Sequence, residues 1–231
     1  MEQLNEIEAL ILLHLKLECI GIDREGRMFR IPGENPDDLP KVYIAAYFQP
    51  SGLTYFRAYQ SGLPEDVYSR LNQFTDDVIL HQHSIVHSVL ESHYKCPGFH
   101  YGKSYIFPKT FPVPDYPDVC QISDLTEELI MRYDPKLMAV KTPVFAIVQE
   151  GQIVSSCQSS RENDQAGEAW VRTLPEYRGR GYACKVTAAW GYNLLSQSKV
   201  PFYSHKMENI ASEAIARKLG LVQFITDAAY E

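Results

Sequence analysis

The sequence predicts a mixed α/β chain in two differently organised parts, and three observations predict it. Helical periodicity opens the chain, with Leu4, Ile7, Leu10, Ile11 and His14 near one face. Short apolar runs rich in β-branched and aromatic residues recur in both halves, bounded by Pro and Gly. Between them, Pro108, Pro112, Pro114 and Pro117 crowd one short stretch. Proline removes backbone donors and disfavours helix before it, so this stretch reads as a seam. The expected organisation is an N-terminal α/β region over 1–107, a Pro-rich linker over 108–117 and a second domain over 118–231.

The first helix is expected over Gln3–Leu17. Strands follow over Arg27–Ile31, Val42–Phe48 and Leu53–Tyr59, separated by Pro32-Gly33, Pro36, Pro50 and Gly52. Helical stretches come next over Pro64–Leu80 and Ser84–Tyr94, with Pro64 suited to a first turn, and a strand over Phe99–Phe107. In the second half, Val119–Ile122 reads as a short strand and Asp124–Tyr133 as a helix with Ser123 as its N-cap. Val144–Val148 and Ile153–Cys157 form a hairpin about Glu150-Gly151. Ala166–Thr173 is a strand, Gly179–Ser196 a helix and Phe202–Ser204 a strand. Asn209–Leu219 is a helix closed by Gly220, and Val222–Thr226 a last strand.

The bulk numbers narrow the function classes. The 231 residues are 45% hydrophobic and 22% charged, with a net charge of −7. An acidic chain is poorly suited to nucleic acid or to an anionic membrane. Five cysteines, Cys19, Cys96, Cys120, Cys157 and Cys184, include no C-x-x-C pair, which disfavours a disulfide framework and a zinc ribbon. His83 and His87 stand at zinc-binding spacing, but no Glu follows His83 and no third ligand is evident, so no metal is expected. The start of the chain lacks a cationic leader. Its apolar stretch Ala9–Leu17 is far shorter than the roughly 20 residues of a membrane span. The chain reads as cytoplasmic.

One segment carries chemistry: Val171-Arg172-Thr173-Leu174-Pro175-Glu176-Tyr177-Arg178-Gly179-Arg180-Gly181-Tyr182-Ala183. A strand ends at Thr173, Pro175 stops ladder pairing, and two glycines allow a tight turn. A helix then begins, and the amides of its first turn converge where its dipole is positive. That is an anion site built from backbone, suited to a diphosphate. Arg178, Arg180 and Lys185 add local positive charge. The segment is neither a Walker loop nor a G-x-G-x-x-G fingerprint, and the glycines alone also suit an ordinary strand-to-helix turn.

The segment resembles the signature of the GNAT superfamily of N-acetyltransferases, Gln/Arg-x-x-Gly-x-Gly/Ala, here at Arg178, Gly181 and Ala183. The run Asn209–Leu221 resembles the family's second signature, at the expected distance. The resemblance covers Val119 to the C-terminus. It implies a GNAT fold: a mixed central sheet with splayed strands flanked by helices, here with an N-terminal α/β extension. It implies acetyl-CoA as cosubstrate. Val171, Arg172 and Thr173 would lie along the pantetheine arm, and Arg178, Gly179, Arg180, Gly181, Tyr182 and Ala183 at the pyrophosphate. Asn209 and Ser212 would lie across the splay.

The implied reaction is direct attack by a primary amine in a ternary complex, with a backbone amide near Val171 stabilising the oxyanion. Glu168 is the candidate base, with a structural strand carboxylate as the other reading. Many family members carry a tyrosine seven residues after the asparagine, but this chain has Ala216. Tyr203, His205, Ser212 or a water is left to protonate the thiolate. Cys184, inside a helix, is expected to pack rather than react. The acceptor is expected to be a small-molecule amine first and a peptide amine second. A non-catalytic CoA-binding module and a longer-chain acyltransferase are the competing readings. Little chain remains after Val222–Thr226 for a seventh strand. Three alternatives stand: the strand is absent, or N-terminal residues or a partner chain, as in a homodimer, take its place.

Overall fold

The computed structural model describes residues 6–33, 39–95, 98–123 and 142–231. The helix expected over Asp124–Tyr133 lies outside them. The chain divides into two compact units. The first comprises Met1–Ser104, His205–Asn209 and Gln223–Glu231; the second comprises Tyr105–Ser204 and Ile210–Val222.

In the first unit, α1 (Glu6–Leu17) carries Glu6 and Glu8 in its first turn and His14 and Lys16 in its last, each favourable to the helix dipole. β1 (Ile20–Ile22) pairs antiparallel with β2 (Arg27–Arg30). β3 (Val42–Gln49) and β4 (Gly52–Gln60) form a hairpin. The single helical stretch expected over Pro64–Leu80 is two helices, α2 (Glu65–Leu71) and α3 (Asp76–His81). Thr75 separates them: it is extended, and its side chain accepts from the Val78 N–H as an N-cap. α4 (His83–Leu90) follows. Val67, Leu71, Ile79, Leu80, Val86 and Leu90 bury the apolar faces of these helices in one core with Val42 and Ile44.

The strand order of this unit is β1-β2-β4-β3-β11-β5, with β5 at Phe99–Ile106 and β11 at Val222–Tyr230. β11 runs four residues past its expected end at Thr226. It gains a full ladder there, since Thr226 to Tyr230 pair with Ala46 to Val42. Both strands beside β11, β3 and β5, come from the first half of the chain, which matches the alternative that placed N-terminal residues at that edge. Within the unit the Met207 N–H also donates to the Tyr101 carbonyl (2.9 Å).

In the second unit, β6 (Cys120–Ile122), β7 (Val144–Gln149), β8 (Gln152–Glu162) and β9 (Ala166–Thr173) form an antiparallel meander. The β7–β8 turn is Glu150-Gly151, both at positive φ, the two-residue geometry that matches strand twist. A 3-10 turn (Pro175–Tyr177) leads into α5 (Tyr182–Ser196). The chain then enters β10 (Val200–Lys206), which lies parallel to β9, and α6 (Ile210–Lys218). Trp190, Val186, Leu194, Phe107, Phe145, Cys157, Tyr203 and Ala216 share the core.

Inside α5, Gly191 lets the Phe107 ring approach: a Cβ there would stand 2.2 Å from a Phe107 ring carbon. Replacing a helical Gly by Ala ordinarily gains about 1 kcal/mol, whereas overpacking a dense core costs about 1–3 kcal/mol. The clash decides the sign. Gly191→Ala is therefore expected to lower the urea midpoint followed by Trp190 fluorescence; a raised midpoint would show that Phe107 yields freely.

Candidate functional site

The site is built on the place where β9 and β10 part. Their parallel register holds for three pairs, Val200↔Ala166, Pro201↔Gly167 and Phe202↔Glu168. β9 continues to Thr173 beyond the last pair. Alternation of backbone direction identifies the groups that face the opening. The Val200 N–H donates to the Gln165 carbonyl (2.9 Å), so odd-numbered β9 residues present their backbone toward β10. The Leu174 N–H donates to the Val154 carbonyl (2.9 Å), so even-numbered ones face β8. The peptide groups of Ala169, Val171 and Thr173 therefore line the parted side. Arg172 is exposed and its backbone serves the β8 ladder, where it pairs with Ser156.

Past Thr173 the chain turns. Gly179 and Gly181 hold φ of 78° and 80°, the left-handed region where a side chain is strained, and open space lies where their Cβ atoms would be. Gly181 is the N-cap of α5 and makes no side-chain cap bond. The first intrahelical acceptor is the Gly181 carbonyl, met by the Lys185 N–H at 3.4 Å. The N–H groups of Tyr182, Ala183 and Cys184 thus begin a helix whose first turn contains no acidic residue.

The three cations expected here have other engagements. Arg178 Nε donates to the Thr173 carbonyl (3.2 Å) and Arg180 donates to the Glu176 carbonyl (3.2 Å). The Arg180 guanidinium also lies over the Tyr177 ring, 4.9 Å from its centre. Both arginines brace the turn that carries the glycines. Lys185 forms an ion pair with Asp118 at 2.7 Å, 67 residues away, which offsets its charge. Asp118 sits just past the Pro-rich stretch, and no local sequence pattern announces that pairing. Tyr182 accepts a hydrogen bond from Gln149 (2.7 Å).

Glu168 is buried, 8% exposed, at the last paired position. Its Oε1 accepts the Ser204 N–H at 2.9 Å. Tyr203, also buried, has a side-chain hydrogen bond with Ser212 near the start of α6. Burial, partly countered by that bond, pushes the Tyr203 hydroxyl well above its ordinary value. Ala216 is fully buried in the same apolar cluster. Cys184 is half-buried, and burial raises its thiol, which lowers its thiolate fraction. Asn209 is exposed and belongs to the first unit, where its N–H donates to the Lys206 carbonyl (2.9 Å). His205 is buried in that unit, with Nδ1 2.9 Å from the Lys206 carbonyl.

The structure thus places Glu168, Val171, Thr173, Tyr203, Ser212 and the Gly179–Ala183 turn all in the second unit. His83 lies elsewhere, in the first unit, with Nδ1 3.0 Å from the Tyr230 hydroxyl. Among the described residues no group of three His, Cys, Asp or Glu side chains converges as metal ligands. No described helix is long and apolar enough to cross a membrane.

Comparisons with known proteins bear on this arrangement. Residues 142–230 match the family model described as GNAT acetyltransferase. No curated protein matches the chain. Among solved structures, the chain is similar to a putative GNAT acetyltransferase from Novosphingobium aromaticivorans, at 17% identity and a TM-score of 0.47. That match covers 58% of this chain and 64% of that one. It is similar to a GNAT-family acetyltransferase from Colwellia psychrerythraea at 14% identity and a TM-score of 0.48, over 100% and 97% of the two chains. A Drosophila protein is similar at 12% identity and a TM-score of 0.50, over 88% and 77%. The family model takes in the parted strands and the glycine turn, so residues 142–230 match the GNAT acetyltransferase family over the stretch that holds the candidate site.

Proposed function

We propose that the chain transfers an acetyl group from acetyl-CoA to a primary amine by direct attack in a ternary complex. The observation that carries this reading is the continuity of two backbone surfaces. The Ala169 carbonyl, the Val171 peptide group and the Thr173 N–H, which lie beyond the last β10 pair, lead directly into a glycine turn and the open N-terminus of α5. An extended arm that carries amides, ending in a diphosphate, matches that order of surfaces. Pantetheine diphosphate is such an arm.

In this reading the Val171 N–H sits where the thioester carbonyl gains negative charge; the amine attacks as its neutral form, and its nitrogen releases a proton to solvent as the C–S bond breaks. The departing thiolate meets the hydroxyl pair of Tyr203 and Ser212. A tyrosine raised so far gives up its proton less readily than a thiol does. Tyr203 therefore acts as a hydrogen-bond donor to the sulfur, and the proton that finally settles there comes through Ser212 from solvent. No covalent enzyme intermediate is required, which leaves Cys184 to packing. The buried Ala216, where many relatives carry a tyrosine, favours a second reading as a CoA-binding module without turnover.

Calorimetry tests the cofactor. The wild type is expected to release heat with CoA and with acetyl-CoA. Gly181→Glu, which sets a carboxylate at the helix N-terminus on a strained residue, is expected to weaken both by at least about tenfold, or 1.4 kcal/mol. Absence of heat from the wild type at millimolar ligand would end the proposal, as would unchanged affinity in the variant.

Turnover with a panel of amines, read as free thiol, separates the enzyme from the module. Tyr203→Phe is expected to lower kcat roughly 10- to 100-fold, somewhat less than loss of an oxyanion donor, with KM for acetyl-CoA little changed. Because its hydroxyl titrates well above the ordinary 10.0, it stays protonated below that pH and introduces no alkaline loss of kcat there. An equal rate in Tyr203→Phe would remove it from the mechanism.

Cys184→Ala is expected to keep kcat within about threefold, since the thiol is held in its neutral form. Loss of turnover with an intact fold would instead point to a covalent route.

A further inference from the structure

We infer that Glu168 is a positioning residue whose carboxylate stops the β9–β10 ladder and so holds open the cleft for the CoA arm. The inference rests on the acetyl-CoA reading above and assigns Glu168 a role other than the base.

The backbone register supports it. The Val200 N–H donates to the Gln165 carbonyl, and Pro201 and Phe202 stand opposite Gly167 and Glu168. Two residues on, the Phe202 N–H faces Gly167. A further two residues on, the Ser204 N–H would face the Ala169 carbonyl if the strands stayed together. It does not make that bond. It donates to Glu168 Oε1 at 2.9 Å. A side chain from the last paired residue has taken the donor that would form the next rung.

The competition favours the side chain. A hydrogen bond to an ionised acceptor is roughly twice as strong as one to a neutral carbonyl. Taking up the Ser204 donor leaves the Ala169 carbonyl, and the Val171 and Thr173 peptide groups after it, without partners on β10. A ligand arm can then use them. The carboxylate also satisfies a strand donor that would otherwise be stranded by the parting. The Glu168 carbonyl is itself fixed, accepting from the Ser160 hydroxyl at 3.2 Å. The backbone at the fork is therefore tied toward β8 while its side chain reaches β10.

Two substitutions of similar length separate this role from proton transfer. Glu168→Gln keeps an acceptor and loses the charge. Glu168→Met keeps the length and loses the acceptor, freeing Ser204 to extend the ladder. The CoA affinities, by calorimetry, are expected to fall in the order wild type, Gln, Met. The Gln variant should lie within about threefold of wild type and the Met variant at least about tenfold weaker. In turnover the Met variant should show the loss in KM for acetyl-CoA, with kcat at saturation within about threefold. The Gln variant should retain kcat and the wild-type pH profile. Wild-type affinity in the Met variant would overturn the inference. So would a Gln variant whose kcat drops by two orders of magnitude with CoA affinity intact, because that pattern belongs to a base. Should the Met variant not fold, the Gln variant decides alone on the same two readouts. Failure of the underlying cofactor reading is distinct, since the wild type itself would then not bind CoA.

Discussion

The second unit depends on a ladder that ends early. Three parallel pairs join β9 to β10 and no more. A strand that leaves its neighbour must find other partners for its polar groups, because buried unpaired peptide groups cost about as much as a lost hydrogen bond. Here the obligation is met locally at two points. Glu168 takes the Ser204 N–H, and Arg178 donates to the Thr173 carbonyl. In the proposed reading, the peptide groups between those points are the main-chain surface that the CoA arm uses.

In the same reading, main chain also supplies most of the attraction for the diphosphate. The chain is acidic overall, and Lys185, early in α5, is offset by Asp118. A part-exposed pair of that kind contributes little to stability, yet it removes a unit charge from the ligand's surroundings. Arg178 and Arg180 each spend a donor on the turn itself. What remains constant is the N-terminus of a 15-residue helix with converging amides and no acidic side chain in its first turn. The two glycines at positive φ permit that geometry, and the arginines keep it in place.

Much of this was legible in order along the chain. The bounds Ala166–Thr173 follow from apolar alternation and the Pro175 stop. The turn follows from two glycines, and α5 from its long periodic run. The failures share a cause. The break between α2 and α3 rests on a Thr75 cap inside a continuous helical pattern. β1 is three residues long and forms only because β2 pairs with it. β11 is extended by its partner β3 rather than by its own composition. Likewise Asp118 reaches Lys185 and Glu168 reaches Ser204 across distances no local period encodes. The chemistry-bearing turn is local and therefore readable; the groups that tune it are distant in sequence.

Ala216 shows why a missing residue should be weighed with its surroundings. It is fully buried in the cluster that also holds Tyr203, Cys157, Val186 and Trp190. Protein cores are packed about as densely as organic crystals, so one volume holds one ring. A tyrosine at 216 would add a ring to a cluster that already holds the Tyr203 ring. The small residue on α6 and the large one on β10 belong to one core. The hydroxyl brought in from the strand is anchored to Ser212, one turn before Ala216 on the same helix.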